Sequence, residues 1–230
     1  MSQYLSQGAA VINLDADTRS RFLNRTYGHL TGAVFAFTGI EIALFKSGMA
    51  ETIFRATGGN WLLVLGAFIV VGWIAGGVAH RATSPAAQYA ALGAYVLAEA
   101  LIFVPLLYLA EHYAKGAIAS AAVITFVGFA GLTATVFITG HDFSFLGGII
   151  RWAGIVALLA IVGGILFGFQ LGTWFSVAMV GLAGASILHT TSNVLHHYPE
   201  DRHIAAALEL FAAVALMLWY VLRIFIMREE

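Results

Sequence analysis

The chain has 230 residues, of which 60% are hydrophobic and only 10% charged, with a net charge of −1 at pH 7 and no cysteine. A soluble domain carries about 25% charged residues, so a deficit spread along the whole length marks an integral membrane protein whose first partner is the lipid bilayer. The near-zero charge offers no footprint for a nucleic-acid partner, and the lack of cysteine excludes disulfides, thiolate metal sites, thiol nucleophiles and lipidated cysteines.

Residues 1–26 read as a polar tail containing Asp15, Asp17, Arg19, Arg21 and Arg25, without the apolar core of a signal peptide. The first membrane segment is therefore expected to direct insertion and to stay in the mature protein. A bilayer core of about 30 Å takes roughly 20 apolar residues per helix. Seven stretches satisfy this, near 27–46, 61–80, 87–110, 116–139, 146–169, 173–196 and 204–227. The expected fold is an all-α integral membrane protein, with residues 27–230 forming one domain of seven transmembrane helices. The longest connection, 47–60, contains Met49–Arg55, a candidate short interfacial helix.

Seven spans put the termini on opposite sides. With the N-terminus inside, that side carries Arg19, Arg21, Arg25, Arg81, Arg151 and Arg202, against Lys46, Arg55, Lys115, Arg223 and Arg228 outside. The basic residues ahead of the first helix favour a cytoplasmic N-terminus. Trp61, Trp152, Trp174, Tyr113 and Tyr198 fall near expected helix ends, where aromatic anchors belong. The pairs Gly28/Gly32, Gly72/Gly76, Gly164/Gly168 and Gly168/Gly172 have the spacing that lets helix backbones approach. Packing within the bundle is the expected use, with a dimer face as the alternative.

Glu41, Glu99, His189 and Glu209 fall within spans. An ionised side chain at mid-membrane costs roughly 2.5–3.5 kcal/mol, so such groups face the bundle interior, a partner or a water path. Glu41 lies close to Lys46 and the helix end, and is expected at the interface. Glu99 is midway along the third helix, and reads either as a water-facing functional acid or as a hydrogen-bonded structural one. Glu209 shares a helical face with Arg202, Ala206, Ala213 and Leu216, so it either pairs with Arg202 or points into the bundle.

The densest polar run is Ile187–Asp201, ILHTTSNVLHHYPED. Thr190, Asn193 and His197 share one helical face; His189, Asn193 and His196 share an overlapping one. His189, His196, His197 and His203 offer imidazoles for a metal, but three of them flank the helix-breaking Tyr198–Pro199, where interfacial histidines are the commoner outcome. Thr190, Thr191 and Ser192 are expected in part to back-bond to the preceding turn. Enzyme and pigment readings fare poorly. The only lysines, Lys46 and Lys115, lie near helix ends and suit no retinal Schiff base. Gly184-Ala185-Ser186 starts an intramembrane serine-protease pattern that Ile187 ends. His80 and His189 are too isolated for a haem. Neither an enzyme nor a cofactor is expected.

Several runs, taken in order, resemble the Bax inhibitor family (transmembrane Bax inhibitor motif proteins). Leu23-Asn24-Arg25-Thr26-Tyr27 is similar to the family's approach to helix one, and Glu99-Ala100 to a Glu-Gly pair in helix three. Asp142-Phe143-Ser144-Phe145-Leu146 resembles the D-x-S-x-L start of helix five. Ile187-Leu188-His189-Thr190-Thr191-Ser192-Asn193 resembles the I-L-Y-D-T-S-N end of helix six. Ala206-Ala207-Leu208-Glu209-Leu210-Phe211-Ala212-Ala213, closed by Val221-Leu222-Arg223, resembles the last helix. The likeness covers nearly the whole chain through the order and spacing of its motifs.

The resemblance implies six helices around a central last one, a cytoplasmic N-terminus, a bacterial inner-membrane location and, in some members, a pH-sensitive calcium leak. That leak is governed by an aspartate pair, one on helix six and one on helix seven, which share a proton because like charges repel. Thr190 and Ala213 stand at those two positions, and neither can ionise. The expected central or pore-lining residues are therefore Glu99, His189, Thr190, Asn193, Glu209 and Ala213, with two alternatives: Glu209 opposite His189 or Asn193 as a substitute acid, or a neutral contact in which Thr190 hydrogen-bonds Asn193 or backbone. Two functions follow as expectations. One is a cation leak for calcium or protons with an altered or lost gate. The other is a membrane-embedded regulator or accessory subunit, such as a modulator of an inner-membrane AAA protease offering its tail as a handle, or a component of a larger membrane complex.

Overall fold

The fold is described from a computed structural model, covering residues 10–13, 15–57, 71, 74, 77–78, 84–169 and 171–228. Among these residues there are seven α-helices: α1 (Ala16–Lys46), α2 (Met49–Thr57), α3 (Pro85–Tyr113), α4 (Ala117–Thr139), α5 (Leu146–Phe167), α6 (Thr173–His196) and α7 (His203–Met227). All but α2 are long and apolar enough to cross a membrane, which makes six candidate spans. The second expected span, 61–80, lies mostly outside the described residues, with the Gly72/Gly76 pair, Trp61 and Arg81.

Local sequence explains where the helices start and stop. Asp15 caps α1, its carboxylate accepting the Thr18 N–H at 2.9 Å, so the helix starts at Ala16 rather than near residue 27. At 31 residues α1 is about 46 Å long, well beyond the bilayer core, and its first turns stand clear of it. Ser84 and Pro85 open α3 as cap and first helical residue. Gly140 and Gly168 end α4 and α5 in the left-handed conformation, at φ of 62° and 74°. Gly168 thus serves as a cap, where its spacing suggested a packing face. The 49–55 segment forms α2, which packs on α1 and α3.

α7 packs against α1, α3, α4 and α6, and its alanines Ala205, Ala206, Ala207, Ala213 and Ala215 are all buried, letting neighbouring backbones come near. An aromatic cluster ties α1, α3 and α7 together: Phe37 meets Phe103 at 5.1 Å and Phe211 at 6.0 Å, and Phe103 meets Trp219 edge-on at 5.0 Å. α5 is the outlying helix, packed on α6, with only 6% of its most apolar stretch buried. Trp152, Trp174 and Tyr113 are exposed, as anchors should be, whereas Tyr198 is buried.

Candidate functional site

The end of α6 gathers the polar side chains. Asp142, in the turn between α4 and α5, accepts the Ser144 N–H at 2.8 Å, the Ser192 hydroxyl at 3.2 Å and the His197 Nε2–H at 3.1 Å. The Ser144 N–H above all, then the side chains of Ser144, His197 and Ser192, hold the Asp142 carboxyl down at about 2, against the opposing effect of burial. Ser192 also accepts the Phe143 N–H at 2.8 Å. One serine therefore binds both a carboxylate and a backbone amide of the α4–α5 turn, instead of back-bonding to its own helix. Ser186 does back-bond, to the Leu182 carbonyl.

His189 faces the same turn. Its Nδ1–H donates to the Phe143 carbonyl at 3.3 Å, which leaves Nε2 to accept from the Asn193 amide at 3.0 Å. A Cβ added to Gly147 at the start of α5 would meet the imidazole Cε1 at 2.8 Å. Glycine at that position lets α5 close onto a ring already fixed at both nitrogens.

Behind this cluster lies a cavity of about 450 Å³, lined by Asn193, His197, Tyr198, Pro199, Arg202, Ala205 and Glu209. The half-buried Glu209 and Arg202 both act on Tyr198. Burial first, and then the Glu209 carboxylate, push the Tyr198 hydroxyl above its ordinary range, so it remains a proton donor. The chain that closes this end comes from the N-terminus. Val11 is fully buried, its N–H donates to the Tyr198 carbonyl at 3.0 Å, and Ala10 bridges Pro199.

Of the six residues marked in the sequence, Asn193 and Glu209 meet in the cavity. His189 touches Asn193 but points toward α5. Thr190 and Ala213 are buried, at 7% and 6% exposure. Glu99 sits apart on α3, 1% exposed, its carboxylate beside the Tyr95 hydroxyl one turn earlier. Glu41, five residues before the end of α1, is buried, and neither carboxylate oxygen finds a partner among the described residues. His203 leaves the other histidines of the run and packs beside His29, with ring centroids 5.2 Å apart and the rings tilted. Among the described residues no group of three potential ligands is placed to hold a metal ion. Asp142, Ser192, Tyr198 and Arg202 were not marked as site residues. The D-x-S pattern at Asp142 was visible, but its partners lie some fifty positions away.

The cavity thus brings together a carboxylate (Glu209), an amide (Asn193), an imidazole (His197) and a guanidinium (Arg202) at one end of the helix bundle. The family described as inhibitor of apoptosis-promoting Bax1 matches residues 19–230. No curated protein matches the chain. The match spans nearly the whole sequence, and the chain belongs to the Bax inhibitor family.

Proposed function

We propose that this Bax inhibitor family member is a cation leak pathway, for calcium or protons, in which Glu209 is the acid that meets the ion. The observation that carries the reading is the position of Glu209: half-buried inside the bundle, lining a polar cavity with Asn193 and His197. Glu209 is one helical turn from Ala213, where relatives carry an aspartate, so a carboxylate is kept near that depth although the pair is lost. With Thr190 and Ala213 unable to ionise, two carboxylates cannot share a proton there, and the pH gate is altered. The packing of α7 against four helices supports a central last helix, and Arg19, Arg21 and Arg25 in the first turns of α1 support a cytoplasmic N-terminus.

Calcium flux from liposomes holding the purified protein, followed across pH, tests this. The native protein is expected to conduct, and Glu209→Gln to lower flux about tenfold, equivalent to roughly 1.4 kcal/mol of cation stabilisation. Flux no greater than that of empty liposomes at every pH removes the reading. A second reading, a membrane-embedded regulator or accessory subunit, is favoured by α5, whose apolar surface lies almost wholly outside the bundle. Co-purification with a membrane protease or a larger complex, lost on polar substitution of Ile155 and Leu159, would support it.

A further inference from the structure

A second cavity, of about 610 Å³, runs between α1 and α3, away from Glu209. Its size falls in the range of small-molecule sites, about 300–1,000 Å³. One end is polar: Arg25 lines it, and the His29 Nε2 and the Tyr89 hydroxyl lie 2.8 Å apart there. The rest is apolar, and from Arg25 to Ile40 it follows α1 for about 22 Å, more than one leaflet of a bilayer core of about 30 Å.

The floor of the groove is glycine. The Gly28/Gly32 spacing suggested close contact with a neighbouring helix, yet among the described residues a Cβ at Gly28, Gly32 or Gly93 would meet no atom within 4 Å. The three glycines therefore hold a trough open instead of bringing two helices together. The trough opens on the outside of the bundle, where its lining residues Gly28, Gly32 and Ala36 on α1 are exposed. An open apolar trough within a bilayer is filled by acyl chain.

Charge decides between occupants. Arg25 makes no ion pair among the described residues. A second copy seated symmetrically on this face would bury two Arg25 guanidinia in one interface, because a two-fold interface repeats the same patch. A negative headgroup resolves the excess: the guanidinium forks onto phosphate oxygens, the Tyr89 hydroxyl and His29 lie within the same polar end, and one tail runs down the glycine floor. We propose that the groove between α1 and α3 is a binding site for one anionic phospholipid, with its phosphate at Arg25 and an acyl chain over Gly28, Gly32 and Gly93. The proposal does not rest on ion conduction.

The test is native mass spectrometry of the purified protein after exchange into mixed phosphatidylglycerol and phosphatidylcholine. The expected result is retention of one phosphatidylglycerol, at least about tenfold over phosphatidylcholine. Arg25→Gln should abolish the preference, Arg25→Lys should restore part of it, and Gly32→Leu, which fills the trough, should lose the lipid. A phosphatidylglycerol with a photoreactive acyl chain, applied to the unaltered protein, provides a measurement free of folding effects. Cross-links to peptides within residues 28–40 and 89–96 support the site. Equal retention of both lipids, retention unaffected by Arg25→Gln and Gly32→Leu, cross-links confined to other helices, or α1–α1 cross-links showing a second copy in the groove would each overturn it.

Discussion

Asp142 shows how much one exposed side chain can organise. It joins the α4–α5 turn to the end of α6 through Ser192 and His197, and its carboxyl is held at about 2. A carboxyl whose pKa is depressed on folding stabilises the native state above its unfolded value. That contribution is lost as pH falls through the folded value. The window here runs from about 4 down to about 2. Asp142→Asn should therefore lower the melting temperature at pH 7, and the gap to the native protein should close as pH falls to about 2. The side chain is 44% exposed and screened by solvent, so a shift of a few degrees is expected rather than loss of the fold. Thermal melts in detergent at pH 7, 4 and 2 check this, and an equal gap at all three would reject it.

Elements set the character of the cavity more than any single residue does. α6 stops where Tyr198–Pro199 prevents its continuation, and α7 restarts only after the short turn Glu200–Arg202. The resulting corner exposes backbone groups, and the N-terminal turn Val11–Asn13 covers it, with Val11 in the core and its N–H on the Tyr198 carbonyl. Segments far apart in the sequence thus close one mouth of the bundle, and Tyr198, the residue that Val11 pins, faces Glu209. Val11→Asp cannot keep its charge buried and should release the turn. The loss of apolar burial is about 1.5–3 kcal/mol, enough to open the corner without unfolding the helices. Calcium flux should then rise several-fold above that of the native protein, with Val11→Ala between the two. A fall in melting temperature with unchanged flux would make the turn a structural cover and not a latch.

At the scale of the whole molecule, much of the architecture was legible because lipid imposes one requirement everywhere: runs of roughly 20 apolar residues. Five of the expected spans match α3 to α7 within a few residues, and the first was too short only because its polar opening turns extend out of the bilayer. What hydropathy could not convey is direction. It could not show that Glu41 faces inward, that Gly28 and Gly32 border open space, or that Ser192 reaches a turn fifty positions away. Helical spacing placed Asn193 and Glu209 on plausible faces, and only packing of α6 on α7 brought both to one cavity. The same packing sorts the connections by membrane side. Contacts between His29 and Tyr89, His29 and His203, and Asp142 and His197 set the starts of α1, α3, α5 and α7 at one end of the bundle, with the ends of α4 and α6. Arg19, Arg21, Arg25, Arg151 and Arg202 fall at that end, so the positive-inside bias predicts that this end faces the cytoplasm. Because the chain lacks cysteine, single substitutions read this out without background labelling. Ser84→Cys, Ser144→Cys and Glu200→Cys should be shielded from an impermeant maleimide added outside intact cells, while Ser47→Cys and Lys115→Cys should react at once; all five positions are exposed. Swapped labelling of the two groups would invert the orientation and place the Glu209 cavity on the outer face. Mixed labelling within either group would show that the bundle ends are not assembled as these contacts require.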